Sequence, residues 1–184
     1  AQDYPTRVLT VSTPDNGTVT GGGIYGLGRG AVLEASPAPG YVFTAWTGDA
    51  SGNNNPLALV MYENQSVGAI FEPDQRDPDQ DGLSNYQELV LHGTDPDNAD
   101  SDGDEFIDGL EISENTDPNA AQDYPTRVLT VSTPDNGTVS GGGTYQLGTT
   151  ATLEASAAPG YLFTGWSGDD SGSDNPLALV MYEN

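Results

Sequence analysis

The stretch DPDQDGLSNYQELVLHGTDPDNADSDGDEFIDGLE, residues 77–111, carries one acidic pattern twice. The first copy puts Asp77, Asp79, Asp81, Gly82, Asn85 and Glu88 at positions 1, 3, 5, 6, 9 and 12 of a loop. The second puts Asp100, Asp102, Asp104, Asp108 and Glu111 at positions 1, 3, 5, 9 and 12, with Glu105 in place of the glycine. Alternate residues of a tight loop turn their carboxylates inward, the backbone carbonyl at position 7 (Leu83 or Phe106) adds an oxygen, and the last Glu closes the shell. A hard divalent cation asks for six to eight oxygens at about 2.3–2.6 Å.

This spacing is that of an EF-hand-type calcium loop, so two or more Ca2+ ions are expected here. Position 6 normally takes a left-handed backbone, which costs an ordinary residue about 1–2 kcal/mol, so Glu105 should make the second loop weaker or differently bent. A plain acidic linker would have no reason to repeat the same register. Of the 28 acidic residues, 16 fall between Glu72 and Asp117, against 4 Arg and no Lys in the whole chain. Like charge at that density is unfavourable until cations neutralise it. Short helices are expected near residues 83–92 and 107–114, with Gly93 and Asn115 suited to the left-handed position that ends a helix.

Either side of this segment the pattern changes to β. The alternation of Leu9 and Val11 predicts a strand over 7–12, and Pro14, Asp15, Asn16 and Gly17 predict a hairpin turn that returns 18–20 beside it. Residues 31–36 should point Ala31, Leu33 and Ala35 to one face. Residues 41–47 are apolar on both faces and are the candidate central strand. Two further strands, 56–62 and 66–71, should meet across the turn at Glu63, Asn64 and Gln65.

Residues 121–184 then repeat residues 1–64 at an offset of 120, differing at 13 of 64 positions. Such a period is the mark of an array. Ile24, Arg29, Gly30 and Val32 become Thr144, Thr149, Thr150 and Thr152, which implies exposure. Leu33, Phe43, Trp46, Leu57, Leu59 and Met61 recur as Leu153, Phe163, Trp166, Leu177, Leu179 and Met181, the expected core. The expected organisation is therefore a β module over 1–71, a calcium-binding connector over 72–119 and a second β module over 120–184. The second copy stops before any counterpart of residues 66–71. A window cut from a longer array is the simpler reading, and an open edge that accepts a strand from a neighbouring chain is the other.

Leu9-Thr10-Val11, Asn16-Gly17-Thr18-Val19, Pro39-Gly40-Tyr41, Phe43, Trp46, Gly48-Asp49, Asn55-Pro56-Leu57 and Ala69-Ile70-Phe71 resemble the divergent internalin-type B-repeat domain of bacterial surface proteins. The resemblance implies a mainly β chain built of small all-β modules, β-grasp-like or sandwich-like, strung along extracellular proteins, with no catalytic residue. The acidic segment resembles the bacterial thrombospondin type 3 repeat, through residues 77–85, Glu88 and 93–96, then 100–104, 108–111 and 116–118. That resemblance implies calcium ligation by the Asp and Glu side chains. Ser84, at a position where paired EF-hands are apolar, favours this family over a true EF-hand pair. Asp95, Asp97 and Asp117 are additional candidate ligands.

The charge argues against nucleic-acid and membrane-surface partners, and no apolar run approaches the roughly 20 residues of a membrane span. Without Cys or Lys, neither disulfides nor isopeptide links can stiffen the chain, which leaves metal as the staple. Millimolar calcium is an extracellular condition, so a secreted or cell-surface location is expected. The leading expectation is a calcium-stiffened tandem-repeat stalk, adhesin shaft or fibre whose partners are neighbouring repeats or other copies of the chain. The alternative is a glycan- or protein-binding module of a secreted multidomain protein, with Tyr25 and Tyr145 as exposed aromatic candidates. An enzyme is not expected: the acids fall in metal register, His92 sits near a helix end, and no nucleophile motif appears.

Overall fold

In a computed structural model, residues 5–12 and 14–182 are described, and they divide into two compact units. The ends of the two expected modules, residues 1 and 184, lie outside the described residues. The first unit holds residues up to Ser101 together with Ile107–Gly109, and the second holds Asp102–Phe106 and everything from Leu110.

In the first unit seven strands form two sheets: β1 (Thr6–Val11), β2 (Gly17–Thr20), β3 (Gly23–Gly26), β4 (Gly30–Pro37), β5 (Tyr41–Gly48), β6 (Leu57–Val60) and β7 (Gln65–Pro73). One sheet runs β3-β1-β7-β5 and the other β2-β4-β6. They share a core of Leu9, Ala31, Leu33, Ala35, Trp46, Met61, Val67 and Phe71. The period-2 reading of β4 holds, with Ala31, Leu33 and Ala35 buried and their neighbours exposed. Ile24 and Val32 are exposed, as their replacement by Thr implies. Phe43, Leu57 and Leu59 are half-buried against the core.

Three expectations about pairing are corrected. β2 does not return beside β1 but pairs with β4, while β1 pairs antiparallel with β3 and parallel with β7. The turn at residues 14–17 thus carries the chain from one sheet to the other. Gly17 is required there by space as well as by the turn, since a Cβ would lie 2.6 Å from the Phe71 ring. Next, β6 and β7 sit in different sheets rather than in one hairpin. Finally, β5 is an edge strand; the central places belong to β1 and β7. Tyr41, which packs against the core like Phe43, also meets the connector, edge-on against Tyr86 with ring centroids 5.4 Å apart.

The turn between β5 and β6 is tied by side chains that act as strand partners. Asn55 Oδ1 accepts the Ala35 N–H at 3.0 Å, its Nδ2 donates to the Ala35 carbonyl at 2.7 Å, and Trp46 Nε1 donates to the Asn54 carbonyl at 2.7 Å. In the second unit, Asn175 makes the same two bonds to Ala155, and Trp166 Nε1 donates to the Asp174 carbonyl. Tyr25 and Tyr145, expected as exposed aromatics, are half-buried instead, each donating its hydroxyl at 2.6 Å to the carbonyl of Gly21 or Gly141.

The second module contains β8 (Thr126–Leu129), β9 (Gly137–Ser140), β10 (Gly143–Gln146), β11 (Thr150–Ala157) and β12 (Leu177–Val180). They pair as β10-β8 and β12-β11-β9, in the registers of their counterparts 120 residues earlier. The counterpart of β5, residues 161–168, makes only the isolated bridge from Trp166 to Gly172. In the first module β5 has one ladder partner, β7.

Candidate metal centre

The centre is built outward from the end of β7. Asp74, which the spacing argument did not single out, is buried and joins the β module to the loop. Its N–H donates to the Gly40 carbonyl at 2.9 Å and its carbonyl accepts the Tyr86 N–H at 3.1 Å. Its carboxylate accepts from Arg76 Nε and Nη2, the latter at 2.6 Å, and from Asn85 Nδ2 at 2.9 Å. The Arg76 hydrogen bonds hold the carboxyl down to about 2, against burial, with Asn85 contributing less. The signal for it in the sequence is an acid two residues before the arginine, at the exit of an apolar strand.

From Asp77 the chain turns on its own carboxylates. The Gln80 and Gly82 N–H groups donate to Asp77, that of Asp81 to Asp79, and that of Leu83 to Asp81 at 2.7 Å. This local bonding leaves Gln80 and Gly82 at φ +65° and +98° and draws oxygens of Asp77, Asp79 and Asp81 within 4.8 Å of one another. Glu88 then arrives on α1 (Gln87–His92), a short helix closed by the Gly93 N–H on the Glu88 carbonyl, five residues back. That wide turn absorbs an insertion: Asp77 to Asp100 is 23 residues, but Thr94 to Thr116 is 22. Single wide turns of this kind accommodate one extra residue in a helix and are frequent at functional sites.

The second acidic group is Asp81, Glu88 and Asp108, all buried, with one oxygen of each within 4.8 Å of the others. Asp108, expected at position 9 of the second loop, thus stands beside positions 5 and 12 of the first. It begins α2 (Asp108–Glu114) and is held from both sides. Its N–H donates to the Ala99 carbonyl, and its carboxylate accepts the Ser101 N–H at 2.8 Å and Oγ at 2.7 Å. The next residue, Gly109, donates its N–H to Asp81 Oδ2 at 3.1 Å, so close that a Cβ would run into the Asp81 carbonyl.

The electrostatics of this group are those of a cation site. Glu88 is completely buried, and neither of its carboxylate oxygens has a hydrogen-bond donor among the described residues. Burial pushes its carboxyl up to about 7, and Asp79, Asp81, Asp108 and Asp77 add repulsion in that order. Asp79 is raised as well, by burial first and then by Asp81. Asp79 Oδ2 and Asn85 Oδ1 are likewise buried without a donor. Buried polar atoms are ordinarily satisfied, and a buried carboxylate is ordinarily paired or bound to metal. Calcium fits this donor set, which is entirely oxygen.

The remaining predicted ligands divide between the units. Asp100 lies in the first; Asp102, Asp104, Phe106 and Glu111 lie in the second. Asp102 accepts the Asp104 N–H at 3.2 Å and Asp104 the Phe106 N–H at 2.9 Å, the bonding of Asp79 and Asp81 over again. Gly103 and Glu105 take φ +81° and +83°, so the left-handed position expected at Glu105 is occupied by a residue with a Cβ. Glu111 is completely buried, with the Thr116 hydroxyl donating to it at 3.4 Å. Asp95, Asp97 and Asp117 are exposed; Asp95 and Asp117 accept the N–H two residues on, and none of the three joins a three-acid group.

Residues 7–75 and 127–184 match the model of the divergent InlB B-repeat domain. The chain belongs to that family. Residues 77–99 and 100–121 match the bacterial TSP3 repeat, so each InlB B-repeat module is followed or preceded by two acidic repeats that abut at residues 99 and 100. No curated protein and no solved structure matches the chain. Both families are bacterial repeat families typical of surface proteins, and TSP3 repeats generally bind calcium. Among the described residues no helix is long and apolar enough to cross a membrane.

Proposed function

We propose that the chain is a structural segment of an extracellular bacterial surface protein, a stalk, adhesin shaft or fibre, in which calcium stiffens the TSP3 connector of an InlB B-repeat array. The observation that carries this reading is Glu88, completely buried among carboxylates with both oxygens lacking a donor. Asp77, Asp79, Asp81, Glu88 and Asp108 would hold an ion there, with the Asn85 amide oxygen and the Leu83 carbonyl completing the shell. A bound calcium supplies the positive charge that this core lacks, and the residues do the rest. Asp108 and Gly109 close on the first loop at Asp81, and Asp74 anchors that loop to Gly40. Such a connector needs no catalytic group, and its partners are neighbouring repeats or further copies of the chain.

The test is a calcium titration of the 184-residue chain, followed by small-angle scattering and calorimetry, with magnesium as control. Calcium at micromolar to millimolar levels should reduce the spread of particle dimensions and raise the melting of residues 74–120. Unchanged scattering and melting would leave the connector an acidic linker. Magnesium, which favours near-ideal octahedral geometry and retains its waters, should do markedly less.

A further inference from the structure

The two acidic repeats carry different residues at loop position 9, Asn85 in the first and Asp108 in the second. Their backbones are held alike. The Asn85 N–H donates to the Arg76 carbonyl at 2.8 Å and the Asp108 N–H to the Ala99 carbonyl at 2.9 Å, each acceptor standing just before the first Asp of its loop. Their side chains are held by groups of opposite polarity. Asp108 takes two donors from Ser101, the N–H on Oδ1 and the hydroxyl on Oδ2. Where the second repeat has Ser101 the first has Pro78, which offers neither an N–H nor a hydroxyl. The partner there is Asp74, an acceptor, whose Oδ2 takes the Asn85 Nδ2–H at 2.9 Å.

This polarity decides how the Asn85 amide lies. An ionised carboxylate only accepts, so the amide must turn its nitrogen to Asp74 and its oxygen away. That oxygen, Oδ1, is buried and accepts no hydrogen bond among the described residues. Asp74 cannot swing aside to suit another arrangement. It is 5% exposed, its N–H and carbonyl are bonded to Gly40 and Tyr86, and Arg76 Nε and Nη2 grip its carboxylate at 2.9 and 2.6 Å.

We infer that Asp74 is a positioning residue of the first calcium site, acting through Asn85 by fixing which atom of the amide faces the ion. The inference rests on the calcium reading proposed above. Asp74 falls in the stretch that matches the B-repeat domain, residues 7–75, whereas Asn85 falls in the acidic repeat, residues 77–99. The β module thus sets the orientation of a ligand in the connector. A cation on Oδ1 also makes Nδ2–H a stronger donor, so the ion and Asp74 reinforce each other through one side chain. Outer-shell partners of this kind are worth about 10–100-fold in metal affinity.

The experiment titrates calcium into the intact 184-residue chain, reading affinity by calorimetry and the Asn85 side-chain amide by nitrogen–proton correlation spectra. Asp74→Ala removes the acceptor: affinity at the first site should fall about tenfold or more, and the Nδ2–H resonance should move to that of a free amide. Asp74→Asn keeps an acceptor oxygen but gives up the ion pair with Arg76, so it should cost stability yet leave calcium affinity nearly native. A merely structural role would make affinity follow stability in both variants. Asn85→Asp leaves Asp74 in place and decides the matter should Asp74→Ala fail to fold. It sets acceptor against acceptor and should weaken binding in spite of the added charge; Asp74→Asn in the same chain should restore it, since an amide at 74 can donate to a carboxylate at 85. Unchanged affinity in Asp74→Ala, an unmoved amide resonance, or tighter binding by Asn85→Asp would each overturn the inference and leave the calcium reading standing. A native chain that binds no calcium would overturn both.

Discussion

Replacing Glu88 by Gln should stabilise the connector without calcium and weaken it with calcium, and this reversal of sign tests the centre directly. Without a cation, burial and then Asp79, Asp81, Asp108 and Asp77 push the Glu88 carboxyl from an ordinary 4.5 up to about 7. The folded connector therefore holds this proton more tightly than the unfolded chain does. Its contribution to stability is complete below about 4.5, declines as pH rises, and is lost above about 7. Each tenfold change in proton affinity is about 1.4 kcal/mol, so the unscreened penalty at pH 8 is at most ~3 kcal/mol. Asp77 lies open to water at the rim, and solvent screening on that side reduces the figure to ~1–2 kcal/mol.

The reporter is the Gly93 amide, which donates to the Glu88 carbonyl at 2.6 Å and exchanges when α1 opens. In EDTA at pH 8, E88Q should slow that exchange by about tenfold, the equivalent of ~1.4 kcal/mol in opening free energy. At pH 4, where the native carboxyl is already protonated, variant and native chains should coincide. In calcium the effect inverts, because one of five carboxylates is gone from the ligand set, and affinity should fall at least tenfold. Faster exchange of E88Q in EDTA at pH 8 would refute the charge argument. Undiminished calcium affinity would refute Glu88 as a ligand.

Asp74 carries the opposite sign: held down to about 2 by Arg76, it contributes above its ordinary 3.8 and loses that contribution as pH falls between the two values. Asp74→Asn should cost ~1–2 kcal/mol at pH 7, with Arg76 too exposed to add more, and much less at pH 2; denaturant midpoints of the calcium-free chain measure both. Glu105→Gly relieves a left-handed backbone and should gain about 1 kcal/mol, while Gly82→Ala, at φ +98°, should cost a similar amount, both read by calorimetry in calcium. Trp46→Ala should cost ~3–5 kcal/mol, since the ring is buried, and Trp166→Ala distinctly less, since its ring is half-buried; each module's amide protection reports its own loss.

What the spacing of carboxylates made legible was local. Alternate Asp residues, the helix-terminal Glu and the left-handed Gly93 and Asn115 all follow from turn chemistry within a dozen residues. Partnership across the chain was not legible. Counting twelve positions assigns Asp108 to the second loop, whereas Ser101, Ala99 and the close approach of Gly109 to Asp81 place it against the first. Asp74 fell outside the count altogether, because it acts through hydrogen bonds to Arg76 and Asn85 and not by position in a loop. The β modules divide in the same way. Alternation in β4 gave its inward face, but the Asn-Gly turn at residues 16–17 reads as a hairpin in any local scheme, and only the sheet pairing shows it as a crossing.

The strand β5 and its copy provide an internal control on this point. Residues 41–48 and 161–168 differ at three of eight positions, with Val42, Ala45 and Thr47 replaced by Leu162, Gly165 and Ser167. One is a strand paired at seven positions and the other makes a single bridge. Strand propensities span only about 1 kcal/mol between residue types, and each of the three replacements, two of them losing a β-branch and one gaining a glycine, lowers strand preference within that range. That cannot account for the loss of a whole ladder. The difference lies in the neighbour: β7 pairs with the first copy, and among the described residues no strand pairs with the second. The strand β5 therefore borrows its order, from β7 through hydrogen bonds and from Tyr86 of the connector through packing. Restoring either neighbour to residues 161–168 should restore order in proportion to the contacts supplied, which makes the strand, with its full ladder, the larger of the two effects.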